Sequence, residues 1–390
     1  MIIVCDPICH AGEHIPFNAG MLEVIRRAFP DERIFFLGEQ SHVAQLKRQV
    51  TLPTTDSISW MTISIPDRYS RYSKRFCDEL RIIWRQVKPL CQSANGILLF
   101  TAVQASTLVV LKLLSRFISH DLTLQVVLHG LGDIGGKRSR HPIRRFQDMR
   151  TALTMPYGRN IQYLALEVDI KEAILKNLPS LDQQLEVIEH PIPPNEQALR
   201  LIGLRPPVKF GFLGRAEEVR GFPVFLKLAS AMVKEYQGKV EFHAIGRYNK
   251  KEDFSSITDV LVTKPCMERL ERRDFIEKAK KLHFVIFPLS PQFYHLAASG
   301  SVMDAIAWGK PVIARNIPIL ASLFRNYGDI GFIFDDEIEL HEIVRNIIER
   351  GNDTHYKLQI DNMKKVREDR STIVLAKTYR KIYAKMLPKL

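Results

Sequence analysis

Residues 298–314 read ASGSVMDAIAWGKPVIA. A small-residue turn at Ser299, Gly300 and Ser301 runs straight into a short helical stretch that Gly309 closes. Pro311 to Ala314 then has the unbroken apolar character of a strand buried on both faces. Helix followed directly by buried strand is the repeating step of a doubly wound, parallel α/β domain. The turn also carries chemistry. The first N–H groups of a helix have no intrahelical acceptor and sit at the positive end of the dipole, which suits a diphosphate. Asp304, one turn further in, offers a carboxylate to ribose hydroxyls. The same residues also fit a plain Ser N-cap with an acidic residue in the early helix.

Upstream, residues 210–215 read FGFLGR, a strand ending at Gly214 followed by Arg215; Arg220 and Gly221 then precede the next helical pattern. Two guanidinium groups at a strand's carboxyl end can clamp a pyrophosphate with forked, charge-assisted bonds. Glu217 and Glu218 offer the competing possibility of surface ion pairs. Around this stretch the pattern predicts strands at Val208–Leu213, Lys239–Ile245, Asp259–Val262, Leu282–Phe287 and Pro311–Ala314. It predicts helices at about Phe222–Tyr236, Glu271–Lys281, Val302–Trp308 and Glu337–Glu349.

The amino half repeats the alternation. Strands are predicted at Ile2–Cys5, Arg33–Leu37, Gly96–Thr101, Gln125–His129 and Ile161–Leu166, with a helix over Ala19–Phe29. Residues 190–194, HPIPP, can continue neither helix nor central strand and read as a stiff linker. The expected organisation is an amino-terminal domain over 1–190, a carboxyl-terminal domain over 191–370, and a basic helix over 371–390 that packs back on the first domain.

Residues 205–320 resemble the donor-binding domain of the retaining GT-B glycosyltransferases, the glycosyl transferases group 1. That family's pattern is a strand, Gly-Arg, a short gap and Lys-Gly, then an acidic pair seven residues apart and an Ala-x-Gly-x-Pro-Val-Ile-Ala run. Gly214-Arg215 matches the first element, and Arg220-Gly221 matches Lys-Gly with Arg for Lys. Asp304 matches the second acidic residue, and residues 307–314, AWGKPVIA, match the closing run. The resemblance implies a GT-B fold, two Rossmann-like domains facing across a cleft. It also implies that Arg215 and Arg220 hold the donor diphosphate and that Asp304 binds the donor ribose. The first acidic position is Leu296 here, so the pair is incomplete; Tyr294, His295 or Ser299 are candidates for a substitute contact.

In the amino half, Gly12, Glu13 and His14 follow the first strand where the superfamily has a glycine-containing loop, expected to face the acceptor. His129 ends a strand at the family's catalytic histidine position, where an imidazole can polarise a sugar hydroxyl. A strand-end histidine can equally be structural. The implied function is glycosyl transfer from a nucleoside-diphosphate sugar to a hydroxyl on a glycan or lipid-linked acceptor, in cell-envelope or exopolysaccharide synthesis. No cofactor and no metal are expected, since no Asp-x-Asp motif is present. A GT-B nucleotide-sugar epimerase and a non-catalytic anion- or nucleic-acid-binding protein are the alternatives.

Composition is that of a folded globular protein rather than a disordered or fibrous one: 390 residues, 46% apolar and 25% charged. The net charge of +13 favours anionic partners. The basic stretches lack interleaved aromatics or a known module, which speaks against nucleic acid. Five cysteines without paired spacing fit a reducing compartment; Cys5, Cys9, His10 and His14 match no zinc pattern. No signal peptide and no stretch of about 20 apolar residues is visible. The expectation is a cytoplasmic protein that works at the inner membrane face. There, Phe76, Leu80, Ile83, Trp84 and Val87 form an apolar stripe flanked by Arg71, Lys74, Arg75, Arg81, Arg85 and Lys88, with Lys137, Arg138, Arg140, Arg144 and Arg145 adding charge from a loop.

Overall fold

The computed structural model describes residues 1–50, 58–67, 70–91, 95–119, 121–131, 134, 147–156, 161–193, 202–248 and 258–385. The chain forms two units, one of Met1–Asn195, Leu296–Ala298 and Arg370–Leu390, the other of Glu196–His295 and Ser299–Asp369.

The first unit is built on β1 (Ile2–Cys5), β2 (Ile34–Gly38), β3 (Ile58–Thr62), β4 (Gly96–Phe100), β5 (Leu122–Leu128), β6 (Ile161–Ala165) and β7 (Leu185–Val187). They form one sheet in the order β3-β2-β1-β4-β5-β6-β7, and its paired strands run parallel: Ile2 faces Ile34 on one side and Ile97 on the other. Every residue of β1 is buried, as expected of a central strand covered on both faces. The helix Ile15–Ala28 packs on this sheet, with Met21, Leu22 and Ile25 in its core.

The last helix, Thr372–Ala384, shares that core through Leu375, Ala376, Tyr379 and Ile382. Its exposed face carries Lys377, Arg380, Lys381 and Lys385. The Tyr379 hydroxyl donates to Gln125 Oε1, and Gln125 Nε2 donates to Gln162 Oε1 at 2.6 Å. Hydrogen bonding is what makes burial of these polar groups tolerable. At the start of this segment Arg370 reaches both carboxylate oxygens of Glu167, at 2.6 and 2.8 Å.

The second unit is built on β8 (Val208–Leu213), β9 (Val240–Ile245), β10 (Phe284–Phe287), β11 (Val312–Arg315) and β12 (Gly331–Phe334), in the order β12-β11-β10-β8-β9. Its core is aromatic: Phe210 stacks between Phe242 and Phe284, with Phe225 set edge-on to Phe242.

Three local readings change. Residues 259–262 do not make a strand; a 3-10 turn covers Thr258–Val260, and the following residues make only isolated bridges, His243 to Thr263 and Arg247 to Cys266. The short strands β3, β7 and β12 were not predicted. The apolar stripe along Tyr72–Ile82 is interrupted by a π-turn at Ile83–Val87. The extra residue in that turn rotates the face: Glu79, Ile82, Ile83 and Val87 are buried, while Trp84 is 41% exposed.

Candidate functional site

In the second unit, the carboxyl end of β8 and the start of the helix Gly300–Ala307 converge. Gly214 has a φ of +103°, a conformation that side chains oppose. A Cβ there would lie 2.8 Å from Ser301 Oγ and 3.1 Å from Arg220 Nη1, so both side chains close in on the bare Gly214 backbone. Gly221 (φ +75°) lets Arg220 sit on this turn, since a Cβ at 221 would fall 1.9 Å from the Pro288 carbonyl oxygen after β10.

Glu217 lies between the two cations, 3.2 Å from Arg215 Nη1 and 3.8 Å from Arg220 Nε. The ion-pair reading therefore holds for Glu217. It also keeps both guanidinium groups in one place, and Arg215 retains 38% exposure of its side chain. Tyr294, buried beside this cluster, has its phenol pushed above the ordinary range by burial.

Ser299 is the N-cap of Gly300–Ala307, yet its hydroxyl makes no capping bond. Its Oγ is buried and has no hydrogen-bond partner among the described residues. A Cβ added at Gly300 would meet open space. Asp304 does not stand alone: Arg272 Nη1 donates to Oδ2 at 3.0 Å and Nη2 to Oδ1 at 2.6 Å. Leu296, at the position where the family has its first carboxylate, is 1% exposed. It groups with the first unit, where Ala297 bridges Gly130.

In the first unit the loop after β1 is fixed from below by Asp6. Its Oδ1 accepts the N–H groups of Ile8 and Cys9, at 3.1 and 2.9 Å. Its Oδ2 accepts from Asn18 at 2.7 Å and Thr101 at 3.2 Å. Burial pushes this carboxyl up; His42, His14 and the donated bonds outweigh it and leave it below its ordinary range. The loop is held laterally by Ser41, whose Oγ accepts Ala11 N–H at 3.2 Å, and by His42, whose Nδ1 lies 2.8 Å from the Ala11 carbonyl oxygen. Gly12 is buried, and Glu13 N–H closes back onto the His10 carbonyl at 3.1 Å. Ala11 and His14 both adopt left-handed φ values, 47° and 51°, which are rare outside glycine.

That conformation lays the exposed His14 ring on His129, with centroids 4.4 Å apart and planes 27° apart. Phe17 meets His129 edge-on at 4.2 Å and His190 at 5.0 Å. His129 follows directly on β5, and its ring is hydrogen-bonded by the backbone of Thr101. Its Nε2 is buried without a partner. Burial, with His14 and His190 nearby, holds His129 well below the ordinary imidazole range.

The structure thus brings Gly214, Arg215, Arg220 and Ser301 together in the second unit and His14 and His129 together in the first. Arg272, Phe17, His190 and Asp6 were not singled out from sequence. Arg272 precedes Asp304 by 32 residues, on a different helix, and only Trp308, four residues after Asp304 on the same helix face, hinted that this face is packed. Among the described residues no group of three or more His, Cys, Asp or Glu side chains is arranged to hold a metal ion.

Residues 207–350 match the family model of glycosyl transferases group 1. No curated protein sequence matches the chain. Among solved structures the chain is similar to a glycosyltransferase from Rickettsia africae ESF-5, with 12% identity over 100% of this chain and 99% of that one and a TM-score of 0.67. It is similar to Anabaena Alr3699/HepE in complex with UDP, with 13% identity over 99% and 100% and a TM-score of 0.65. It is also similar to WaaG, a glycosyltransferase involved in lipopolysaccharide biosynthesis, with 10% identity over 98% and 99% and a TM-score of 0.64. Residues 207–350 of the second unit thus match the glycosyl transferases group 1, and the chain as a whole has the GT-B fold.

Proposed function

We propose that the protein transfers a glycosyl group from a nucleoside-diphosphate sugar to a hydroxyl of a glycan or lipid-linked acceptor. The observation that carries this reading is the meeting of Gly214, Arg220 and Ser301 at a helix N-terminus whose Ser299 hydroxyl is buried and unpartnered. A diphosphate would supply the missing acceptor. It would also receive N–H groups from the first turn and charge from Arg215 and Arg220.

In the reaction the bond between the anomeric carbon and the diphosphate oxygen breaks, the acceptor oxygen bonds to that carbon, and the acceptor proton leaves. Negative charge builds on the departing oxygen. Fixed cations and a helix N-terminus stabilise such charge without reorganising, so a divalent metal is not required by this scheme. His129, with an unpartnered Nε2, would accept a hydrogen bond from a sugar hydroxyl near the reacting centre. Similarity to proteins solved with UDP makes a uridine nucleotide the first donor class to test.

A membrane-face location for the acceptor is supported by one patch. Trp84, Leu113 and Phe117 are exposed together, Trp84 meets Phe117 edge-on at 5.4 Å, and Lys88 Nζ sits 3.5 Å over the indole. Arg81, Arg85 and Arg116 are exposed around it. The loop cations at 137–145 lie outside the described residues. No described helix is long and apolar enough to cross a membrane.

The test is product analysis with donors radiolabelled in the sugar, offered with candidate acceptors. Label appearing on the acceptor supports transfer. Label found only in an isomerised nucleotide sugar would replace transfer with epimerisation.

A further inference from the structure

Asp304, the residue read as the ribose acceptor, is held by a fork. Arg272 donates one N–H to each carboxylate oxygen, at 3.0 and 2.6 Å. The two side chains are 18% and 15% exposed, so this is a partly desolvated pair rather than a surface contact. The guanidinium is itself seated in an aromatic slot, its carbon 5.0 Å from the Trp308 ring and 5.8 Å from the Phe275 ring. Those two rings lie 5.8 Å apart. Phe275 is three residues beyond Arg272 on the helix Arg272–Ala279, and Trp308 is four beyond Asp304 at the end of Gly300–Ala307. Both helices therefore contribute one member of the ion pair and one ring to a single interlocked unit.

A carboxylate has about four lone-pair sites, two on each oxygen. A forked arginine uses one on each and leaves one on each. Those remaining sites lie on the two outer edges of the carboxylate, and one of them can accept a ribose hydroxyl. A lone Asp side chain would sample several rotamers, and the hydroxyl would have to select one of them at an entropic cost. An Asp clamped by a planar fork has already made that selection.

We propose that Arg272 is a positioning residue for ribose recognition: it holds the Asp304 carboxylate in one orientation, with an outer lone pair open to a ribose hydroxyl of a nucleoside diphosphate. The proposal rests on the donor-binding reading above and gives Arg272 no contact with the reacting sugar. It predicts that discrimination between ribose and deoxygenated ribose depends on Arg272 as much as on Asp304.

The experiment measures dissociation constants by titration calorimetry for UDP, ADP and GDP, each against its 2′,3′-dideoxy analogue, on the full chain. The expected wild-type preference for the ribose form is about ten-fold for the nucleotide that binds, the scale of one hydrogen bond to a charged group. Arg272→Ala and Asp304→Ala should each bring that ratio to near one while leaving the dideoxy affinity unchanged. The double variant should do no more than either single one. Arg272→Lys, which keeps the charge and loses the fork, should give an intermediate ratio and covers the case in which Arg272→Ala does not fold. A variant that weakens both analogues equally and preserves the ratio would overturn the proposal, since Arg272 would then only join two helices. Tighter ribose binding by Arg272→Ala would also overturn it, by making Arg272 a competitor for Asp304. If no diphosphate binds the wild-type chain, the donor-binding reading itself falls and the proposal falls with it.

Discussion

His14, with its own backbone left-handed at φ 51°, lies flat against His129, ring centroids 4.4 Å apart. The contact covers one face of an imidazole whose Nε2 is buried and unpartnered. Burial and the two neighbouring histidines lower its affinity for a proton. His129 is therefore a neutral acceptor at physiological pH, which suits a hydrogen bond to a sugar hydroxyl better than a charge role.

His129→Ala is accordingly expected to lower kcat by about 10²-fold, the low end of what a positioned acid–base group contributes, with little change in donor KM. His14→Ala removes the stacked ring while the backbone stays left-handed at φ 51°, and should give a smaller loss of the same kind. Steady-state kinetics with the identified donor checks both. Unchanged turnover in His129→Ala would make the residue structural.

His190 gives a stability prediction. It is 6% exposed, and burial lowers its pKa to about 3, against about 6.5 in an unfolded chain. The unfolded state then binds the extra proton below about pH 6.5. Stability attributable to His190 is complete above that value and declines as pH falls toward 3, by up to about 1.4 kcal/mol per pH unit. Thermal melts at pH 7.5 and 5.0 should show a loss that is smaller in His190→Gln. Equal losses in the two proteins would assign the acid sensitivity elsewhere.

Arg215→Ala and Arg220→Ala should each weaken nucleotide-sugar binding or turnover by about 2–4 kcal/mol, the scale of a lost charge-assisted contact to a diphosphate. Arg220 lies against Gly214, on whose other side sits Ser301, whereas Arg215 is the more exposed of the pair. The larger effect is therefore expected at Arg220. Wild-type kinetics in either variant would remove that residue from the site. Turnover is expected to survive chelation by EDTA; complete loss restored by Mg²⁺ would show that the two arginines do not suffice.

The exposed patch at Trp84 and Phe117 predicts salt-sensitive flotation with vesicles rich in anionic lipid. Trp84→Ser and the pair Arg81→Gln with Arg85→Gln should each reduce it. Absence of co-flotation at low salt would point to a soluble acceptor.

Much of this architecture was legible in the residues. β1 and β8 run over Ile2–Cys5 and Val208–Leu213, the first unbroken in its apolar run and the second apolar but for Lys209 and Gly211, each ending at turn residues. The stretch 298–314 folds as helix and strand because Ser299 and Gly309 mark the helix ends and Pro311 bars its continuation. What was hidden has physical causes. β3 carries exposed Ser59 and Thr62 at one edge of its sheet, and β12 is four residues long and opens with glycine, so neither shows a clean period. The π-turn at Ile83–Val87 shifts helical phase, so the stripe read from spacing mixed buried Ile83 and Val87 with exposed Trp84. The Arg272–Asp304 fork spans 32 residues of sequence and depends on two helices meeting, which no local spacing encodes.

The central claim is that the Gly214–Arg220–Ser301 cluster binds the diphosphate of a nucleotide sugar. The most direct measurement is a thermal-shift titration of the wild-type chain and Arg220→Ala with UDP-, GDP- and ADP-linked sugars. One donor class is expected to raise the wild-type Tm progressively with concentration, as preferential binding to the folded state requires, and to leave Arg220→Ala nearly unshifted. No shift from any nucleotide sugar, or an equal shift in both proteins, would contradict the account.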